Sequence, residues 1–288
     1  MIIVTGATGN VGSVLMAKLA EKNIPARAMT RDASKAKGLF PAGTEVVEAD
    51  FADPASLTKA MAGADTLVLI SPAHPDMVAH QKAALDAAKA AGIKDVIKLS
   101  GLGASLDAPI RLPKGHAEIE DYADSIGLSI TPIRPNLFMQ VLLGDAGSIA
   151  GEGKIYAPAA DGKISFTDVR DIADVFTKVI EDTALRGKSY DITGPDALTY
   201  AEAAEKIGKA AGYPVQHVDV PEEAAREAML GMGMDPWVTE AFVELFQIYR
   251  AGYGSAVLSD TVASVKGAPA RSFDGFAADF RGSFAKAS

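Results

Sequence analysis

Three glycines near the amino terminus have the spacing of a turn that binds phosphate. The run 6–12 reads G-x-x-G-x-x-G and lies between an apolar strand, Ile2–Val4, and an amphipathic helix. The first glycine suits a tight turn, the second lets backbone approach a diphosphate, and the third lets the helix pack closely on the strand. The helix amino terminus would offer free N–H groups to the phosphates. We therefore predict that a dinucleotide binds at Gly6, Thr8, Gly9, Asn10, Val11 and Gly12.

The end of the second predicted strand distinguishes NADP from NAD. An acidic side chain at this place binds the ribose hydroxyls of NAD, whereas this chain has Thr30-Arg31-Asp32. Because Arg31 is able to pair with a 2′-phosphate, the sequence favours NADP(H), with NAD(H) as the other option. The alternative interpretation is that Arg31 is a surface residue and that Asp32 caps the short helix after it.

Residues that follow three other strands are expected to line the remaining parts of the cofactor. Asp50 and Phe51 would flank the adenine, although Asp50 is equally compatible with an ordinary turn. The wall of the nicotinamide site would come from Ile70, Ser71 and Pro72 and from Pro135, Asn136, Leu137 and Phe138. The residues expected to line an apolar substrate pocket are Phe138, Met139 and Trp237. The alternative for Phe138 and Met139 is packing of the following helix, and the alternative for Trp237 is core packing between two helices.

The order of predicted elements supplies a scaffold that brings these strand ends together. Short apolar runs alternate with helical runs, with strands at 2–4, 26–29, 46–47, 66–70, 96–99 and 129–133 and helices at 11–22, 54–61, 76–91 and 115–126. This alternation predicts an α/β fold, a doubly wound parallel sheet of the Rossmann type. Such sheets bind ligands beyond the carboxyl ends of their strands.

The second half of the chain is less regular. A helix at 169–182 and a strand at 189–193 are expected to join the sheet layer, and three further helices are expected at 200–211, 221–232 and 236–251. We predict a cofactor-binding domain over residues 1–147 that also receives about 165–195. A small substrate-side lobe would comprise residues 148–164 and 196–288.

Net charge and cysteine content disfavour or exclude several classes of binding partner and site. The net charge of −9 disfavours nucleic acid and anionic membranes, and the absence of cysteine excludes disulfides and zinc–sulfur sites. The first strand begins almost at Met1 and no apolar run has the length of a bilayer, so we expect a cytoplasmic protein with a small-molecule substrate, and we leave a homodimer open.

No metal is expected, and no local motif indicates tight flavin binding. His74, Asp76 and His80 are close in sequence, but His74 precedes Pro75 and lies outside the following helix. Helical geometry is therefore not expected to place the three side chains on one face.

The glycine-rich opening, residues 5–12, resembles that of the NmrA-like group of atypical short-chain dehydrogenases. Residues 116–120 with 125–128 and 134–140, and residues 168–173 with 190–195, resemble two further stretches of that group. The resemblance covers residues 1 to about 220. It implies the fold and an NAD(P)H cofactor. For the activity it implies either reduction of quinones, azo dyes or triphenylmethane dyes, or redox sensing without catalysis.

The resemblance also points to a proton donor. None of the seven tyrosines has a lysine four residues later, so the Tyr-x-x-x-Lys pair of typical short-chain dehydrogenases is absent. By the family comparison His116 lies near that pair's usual helix, and an imidazole suits proton exchange near pH 7. Glu120, one helical turn later, would orient or charge the ring, and the Ser100 hydroxyl would face the nicotinamide or the substrate. The alternatives are an exposed pair at a helix start and an ordinary turn hydrogen bond.

The sequence leaves two functional hypotheses. The leading one is an NADPH-dependent reductase that passes hydride to a planar conjugated acceptor such as a quinone, an azo compound or an imine-like dye. The alternative is a non-catalytic NADP(H)-binding redox sensor that acts through a protein partner.

Overall fold

The structure, a computed structural model, describes residues 1–36 and 38–286. Its strands are β1 (Ile2–Val4), β2 (Ala26–Thr30), β3 (Glu45–Glu48), β4 (Thr66–Leu69), β5 (Asp95–Leu99), β6 (Ser129–Pro135), β7 (Lys154–Ala157), β8 (Tyr190–Ile192) and β9 (Gln216–Asp219). Its α-helices are α1 (Asn10–Glu21), α2 (Pro54–Met61), α3 (Met77–Ala90), α4 (Arg111–Ser125), α5 (Ala146–Glu152), α6 (Val169–Glu181), α7 (Tyr200–Ala211), α8 (Glu222–Gly231), α9 (Pro236–Ala251), α10 (Thr261–Lys266) and α11 (Phe273–Asp279). Short 3-10 helices span Met139–Asp145 and Thr183–Leu185.

Backbone contacts divide the chain into two compact units. The first comprises Met1–Arg134 and Ile172–Asp191, and the second comprises Pro135–Asp171 and the residues from Ile192 onward. The division precedes the predicted boundary at residue 147. The reason is that Met139 and Leu142 are buried in the core of the second unit.

A seven-stranded sheet organises the first unit, with the strand order β3-β2-β1-β4-β5-β6-β8. The pairs from β3 to β6 are parallel, and Val4 of β1 lies opposite Ala28 of β2 and Val68 of β4. All residues of β1 and β4 are buried, as expected for central strands covered by helices on both faces. The predicted doubly wound fold is confirmed, and its topological switch point lies between β1 and β4.

Local sequence explains where several helices of the first unit begin. The Asp53 carboxylate caps α2 by accepting from the Ala55 N–H at 3.0 Å, and Pro54 occupies the first helical position, as predicted. Helix α4 begins at Arg111, four residues before the predicted start. Its first turn contains Pro113, which is tolerated there because the first N–H groups of a helix have no intrahelical partner.

The second unit has its own apolar core, built mainly on α7, α11 and the 3-10 helix Met139–Asp145. Phe166, Phe273 and Phe276 are almost fully buried there. The Thr199–Glu202 capping box begins α7. Strands β7 and β9 form a separate parallel pair that was not predicted from the sequence, and neither were α5, α10 and α11.

Among residues 1–36 and 38–286, none of the helices combines the length and the apolar character that crossing a bilayer requires.

Candidate active site

The turn between β1 and α1 is closed by bare backbone. Gly6 has a φ of +57°, and a Cβ atom there would lie 2.7 Å from the carbonyl oxygen of Ile70. A Cβ atom on Gly12 would lie 2.2 Å from the Gly6 carbonyl oxygen, well inside contact distance. Gly9 occupies the N-cap of α1 without a side-chain hydrogen bond to the helix. The first N–H groups of α1 therefore have no side-chain cap, which suits a diphosphate.

Thr5 fixes this turn against the neighbouring strand. Its hydroxyl donates to the Ile70 carbonyl at 2.7 Å and accepts from the Ile70 N–H at 2.8 Å. The backbone of Ile70 is thus engaged and its side chain is buried. Thr8 and Asn10 are exposed on the turn, whereas Val11 is buried in the core, so Val11 offers a ligand only its backbone.

Arg31 lies exposed just after the carboxyl end of β2. Its side chain has no hydrogen bond or ion pair within the part of the chain that the structure describes. Asp32 accepts from the Ser34 hydroxyl at 2.5 Å and from the Lys35 N–H at 3.0 Å. These bonds, the first above all, lower the pKa of Asp32 to about 2. Asp32 therefore stabilises a turn rather than the predicted short helix, and Arg31 remains accessible to an anionic ligand.

The loops after β3 and β4 lie at the same edge of the sheet as the glycine turn, because these strands are parallel. One carboxylate oxygen of Asp50 accepts from the Ala52 N–H at 2.9 Å, as expected for a turn residue. Phe51 packs against the core of the first unit. The Ser71 hydroxyl accepts from Gln81 at 2.7 Å, and Pro72 is exposed. Contact of these residues with a cofactor remains a prediction.

A buried lysine lies beside the predicted proton donor. Lys98 of β5 is fully buried, and its Nζ lies 2.7 Å from Nδ1 of His116 on α4 and 3.0 Å from the Leu99 carbonyl oxygen. A Cβ atom on Gly101 would lie 3.2 Å from Cδ2 and 3.7 Å from Nε2 of the same ring. The imidazole therefore lies between Lys98 and the backbone that follows β5.

Glu120 and Ser100 form a second group. The Ser100 hydroxyl donates to Glu120 at 2.5 Å, and the Arg134 guanidinium at the end of β6 donates to both carboxylate oxygens. Glu120 is thus hydrogen-bonded to Ser100 and Arg134, whereas His116 is hydrogen-bonded to Lys98. This differs from the expectation that Glu120 orients the imidazole.

Electrostatics make the two groups interdependent. Burial lowers the pKa of Lys98 to about 7, the Glu120 carboxylate opposes this effect, and Arg134 reinforces it. Burial, followed by the charges of Lys98 and Arg134, lowers the pKa of His116 well below its usual value. The imidazole is therefore neutral at pH 7, contrary to the expectation of a ring that exchanges protons freely there. When Lys98 is protonated, Nδ1 accepts its proton and Nε2 carries the hydrogen.

Sequence reasoning missed Lys98 and Arg134. For Lys98, the signal was a lysine inside the otherwise apolar run Val96–Leu99, since lysine is rarely buried without a partner. For Arg134, the signal was a basic residue at the carboxyl end of a strand, the edge at which such sheets bind ligands.

Two assignments in the second unit are revised by the structure. The Asn136 amide donates to the Ser165 hydroxyl and to the Ser255 carbonyl, both at 2.8 Å, and its oxygen accepts from the Leu137 N–H at 2.8 Å. Both amide hydrogens are thus used within the unit, so Asn136 cannot also donate to a carboxamide or a substrate. Met139 is 1% exposed and packs in the core, which removes it from an open pocket.

The remaining predicted residues of the second unit stay unassigned. Pro135 is buried, and Leu137 and Phe138 are partly buried next to it in sequence. Trp237 lies partly buried in the first turn of α9, where its backbone N–H donates to the carboxylate of the capping Asp235. Their roles toward nicotinamide or substrate remain predictions.

His74 lies outside α3, as expected, but the expectation that the side chains of His74, Asp76 and His80 do not share one face is wrong. One potential ligand atom from each residue lies within 4.8 Å of the others. The three converge because the turn before α3 folds back over the helix: the Asp76 N–H donates to Nδ1 of His74 at 3.0 Å, and the Met77 N–H donates to the His74 carbonyl at 2.9 Å.

Comparisons with known proteins place the chain among NAD(P)H enzymes. A family model described as the NmrA-like family matches residues 1–268, which confirms the resemblance seen in the sequence. The NAD(P)H azoreductase of Xenophilus azovorans is 38% identical over 277 residues, covering 96% of each chain. Quinone oxidoreductase 2 of Escherichia coli strain K12 is 32% identical over 238 residues, covering 81% of this chain and 82% of the relative.

A solved structure supports the same placement. The NADPH-dependent quinone oxidoreductase of Escherichia coli, determined in complex with NADPH, superposes with a TM-score of 0.86 at 27% identity. The match covers 97% of this chain and 99% of that one.

Proposed function

The chain belongs to the NmrA-like family, and from that premise we propose that it is an NADPH-dependent reductase of planar conjugated acceptors such as quinones or azo compounds. The observation that carries the proposal is the Lys98–His116 hydrogen bond at the carboxyl end of β5. In this hydrogen bond the buried Lys98 amine can supply a proton to Nδ1 of a neutral His116. Nε2 of the same ring then carries a hydrogen that it can donate. The named activities of the azoreductase and quinone oxidoreductase relatives support this class of acceptor.

The cofactor would be held chiefly by backbone. The N–H groups of the glycine turn would bind the diphosphate, Arg31 would pair with the 2′-phosphate, and Phe51 would contact the adenine. When bound, the dihydronicotinamide supplies a hydride. The chain's remaining task is to orient the acceptor and to deliver one proton.

His116 would deliver that proton from Nε2. Charge that develops on an oxygen or nitrogen of the acceptor attracts the Nε2 hydrogen, and Lys98 passes a proton to Nδ1 as the first one leaves. The imidazole ends neutral with its hydrogen on Nδ1, and Lys98 ends as an amine. After the product leaves, Nε2 takes a proton from water and the Nδ1 hydrogen returns to Lys98. A quinone that receives one hydride and one proton becomes a hydroquinone, and an azo compound becomes a hydrazine, so the reaction balances.

Ser100, Glu120 and Arg134 would act on this pair from a distance. The Glu120 carboxylate raises the pKa of Lys98 against the effect of burial, while Arg134 lowers it. Arg134 and Ser100 hold Glu120 in place through their hydrogen bonds. In this proposal Glu120 and Ser100 are positioning residues, and the reacting groups are Lys98 and His116.

The acceptor class is tested by following NADPH oxidation at 340 nm with menadione, methyl red and malachite green. We expect saturable oxidation with at least one acceptor and without added flavin. NADPH that binds but is not oxidised with any of the three would contradict the proposal and favour the non-catalytic redox sensor.

The cofactor preference is tested at Arg31. Replacing Arg31 with alanine removes a charge-assisted pair worth about 1.5–3 kcal/mol, so the Kd for NADPH should rise by about 10–100-fold. The Kd for NADH, which lacks the 2′-phosphate, should be nearly unchanged. Arg281, another exposed arginine, provides the matched control, since Arg281→Ala should alter neither Kd. Equal losses for both cofactors in Arg31→Ala would overturn the assignment.

A further inference from the structure

The turn before α3 brings three metal-binding side chains together in the first unit. Nδ1 of His74 lies 3.8 Å from a carboxylate oxygen of Asp76, and the rings of His74 and His80 stack with centroids 5.0 Å apart. One ligand atom from each of the three residues lies within 4.8 Å of the others. This cluster shares no residue with the Lys98–His116 pair, but it borders the proposed cofactor site, because His80 stacks on Phe51, the residue assigned to the adenine.

The Asp76 carboxylate is free for a ligand because it does not cap its helix. Aspartate before a helix ordinarily accepts from an N–H group of the first turn. Here Asp76 has φ −92° and ψ 16°, outside the extended conformation of a capping residue, and makes no side-chain hydrogen bond to α3. Its carboxylate lies instead on the side of His74.

The orientation of His80 is supported by its neighbours. The ring of Phe51 lies nearly parallel to that of His80, at 15° with centroids 6.3 Å apart, and the His74 ring lies at 27° to it. His80 follows Asp76 by one helical turn, with its N–H bonded to the Asp76 carbonyl at 2.8 Å. Stacking and the helix together limit the motion of this imidazole.

We propose that His74, Asp76 and His80 form a binding site for a divalent transition-metal ion of the zinc type. Two imidazole nitrogens and one carboxylate oxygen suit Zn²⁺, Ni²⁺ or Cu²⁺, whereas Mg²⁺ and Ca²⁺ prefer all-oxygen sites. A tetrahedral ion with bonds of about 2.1 Å needs its ligand atoms about 3.4 Å apart, so the widest separation here must close by about 1.4 Å.

These side chains can rotate to bring their ligand atoms closer together. The side chains of His74 and Asp76 are 46% and 66% exposed and therefore have room to rotate. The ion must also compete with the Asp76 N–H for Nδ1 of His74, a neutral hydrogen bond of 3.0 Å. Water would fill the fourth position, as in zinc sites with three protein ligands.

The test uses Co²⁺, which replaces Zn²⁺ in such sites and absorbs visible light, with the untagged full chain. We expect one equivalent of Co²⁺ to produce a visible band that Zn²⁺ removes. Residues that only orient metal ligands typically change metal affinity by about 10–100-fold, and loss of a direct ligand should have a larger effect. His80→Gln and Asp76→Asn should therefore each raise the Kd for Co²⁺ by about 100-fold or more.

His217 provides the matched control because its ring is hydrogen-bonded to the Ala157 carbonyl in the second unit. His217→Gln should bind Co²⁺ like the unaltered chain. The proposal is overturned if no stoichiometric band forms, if His80→Gln and Asp76→Asn bind Co²⁺ as tightly as the unaltered chain, or if binding is lost in His217→Gln instead.

Discussion

Replacing Gly9 with alanine is expected to raise the Kd for NADPH by about 100-fold or more, equivalent to about 2.7 kcal/mol, while leaving the fold intact. The backbone of Gly9, with φ −81° and ψ 179°, is open to any residue, and an added Cβ would lie 3.3 Å from the Gly6 carbonyl oxygen. This contact is tight, so the folded turn accommodates the methyl group by a shift of a few tenths of an ångström. The same methyl group stands at the N-cap of α1, where a diphosphate must approach the backbone amides.

Two other glycines serve as comparisons for this variant. A methyl group on Gly12 would lie 2.2 Å from the Gly6 carbonyl oxygen, so Gly12→Ala should distort the turn and lower the melting temperature as well as binding. Within the described part of the chain, no atom beyond the immediate sequence neighbours of Gly144 lies within 4 Å of its added Cβ, so Gly144→Ala should change neither the Kd nor the melting temperature. Cofactor titration measures the Kd for NADPH, and thermal denaturation measures the melting temperature. An unchanged Kd in Gly9→Ala would show that the diphosphate does not bind at this turn.

Replacing Lys98 with methionine is expected to separate activity from stability. Removing the proton source should lower kcat by about 100-fold, the lower end of the effect of general acid–base catalysis. KM for NADPH should change little, because Lys98 lies outside the residues assigned to the cofactor. The melting temperature at pH 7 should be equal or higher, because methionine fills a similar volume without the cost of burying an amine.

The pH dependence of activity and of stability follows from the lowered pKa of Lys98. Activity should fall as pH rises through about 7, because the relay needs the protonated amine. Between pH 7 and about 10, the Lys98 amine is protonated in the unfolded chain but not in the folded chain. The free energy of unfolding of the wild type therefore rises with pH across this window. The stability advantage of Lys98→Met over the wild type should therefore be largest at pH 7 and below and should shrink toward pH 10.

Lys94→Met provides the control, since Lys94 is exposed and precedes the same strand. It should preserve both kcat and its pH profile. A Lys98→Met variant with normal kcat, or one whose rate keeps the falling limb near pH 7, would remove Lys98 from the proton path.

The fold was predictable because its signals are local. Apolar runs, the glycine turn and the Asp53-Pro54 start of α2 each depend on residues adjacent in sequence. The start of α4 was not predictable in this way, because its N-cap, Ile110, makes no side-chain hydrogen bond and Pro113 resembles a break in the helix. The short elements of the second unit were missed for a related reason, since they depend on a tertiary core.

The candidate site was predictable only where backbone defines it. The tight turn at Gly6 and the close packing at Gly12 could be predicted from the glycine spacing, whereas the side-chain contacts depend on partners distant in sequence. The amide of Asn136 is used by Ser165 and Ser255, which lie 29 and 119 residues away. The pKa values of Lys98 and His116 are set by burial under neighbouring elements. The local pattern signals only that Lys98 lies in an apolar strand, not which groups surround it.

Direct hydride transfer from NADPH to an acceptor is the central claim of the proposed function. Rapid mixing of the purified chain and NADPH with menadione, followed at 340 nm, tests it, with NADPH that carries deuterium at the transferred position as the comparison. We predict that the absorbance of bound NADPH disappears in a single turnover without added flavin, and more slowly with deuterium. Bound NADPH whose absorbance stays constant would contradict the claim.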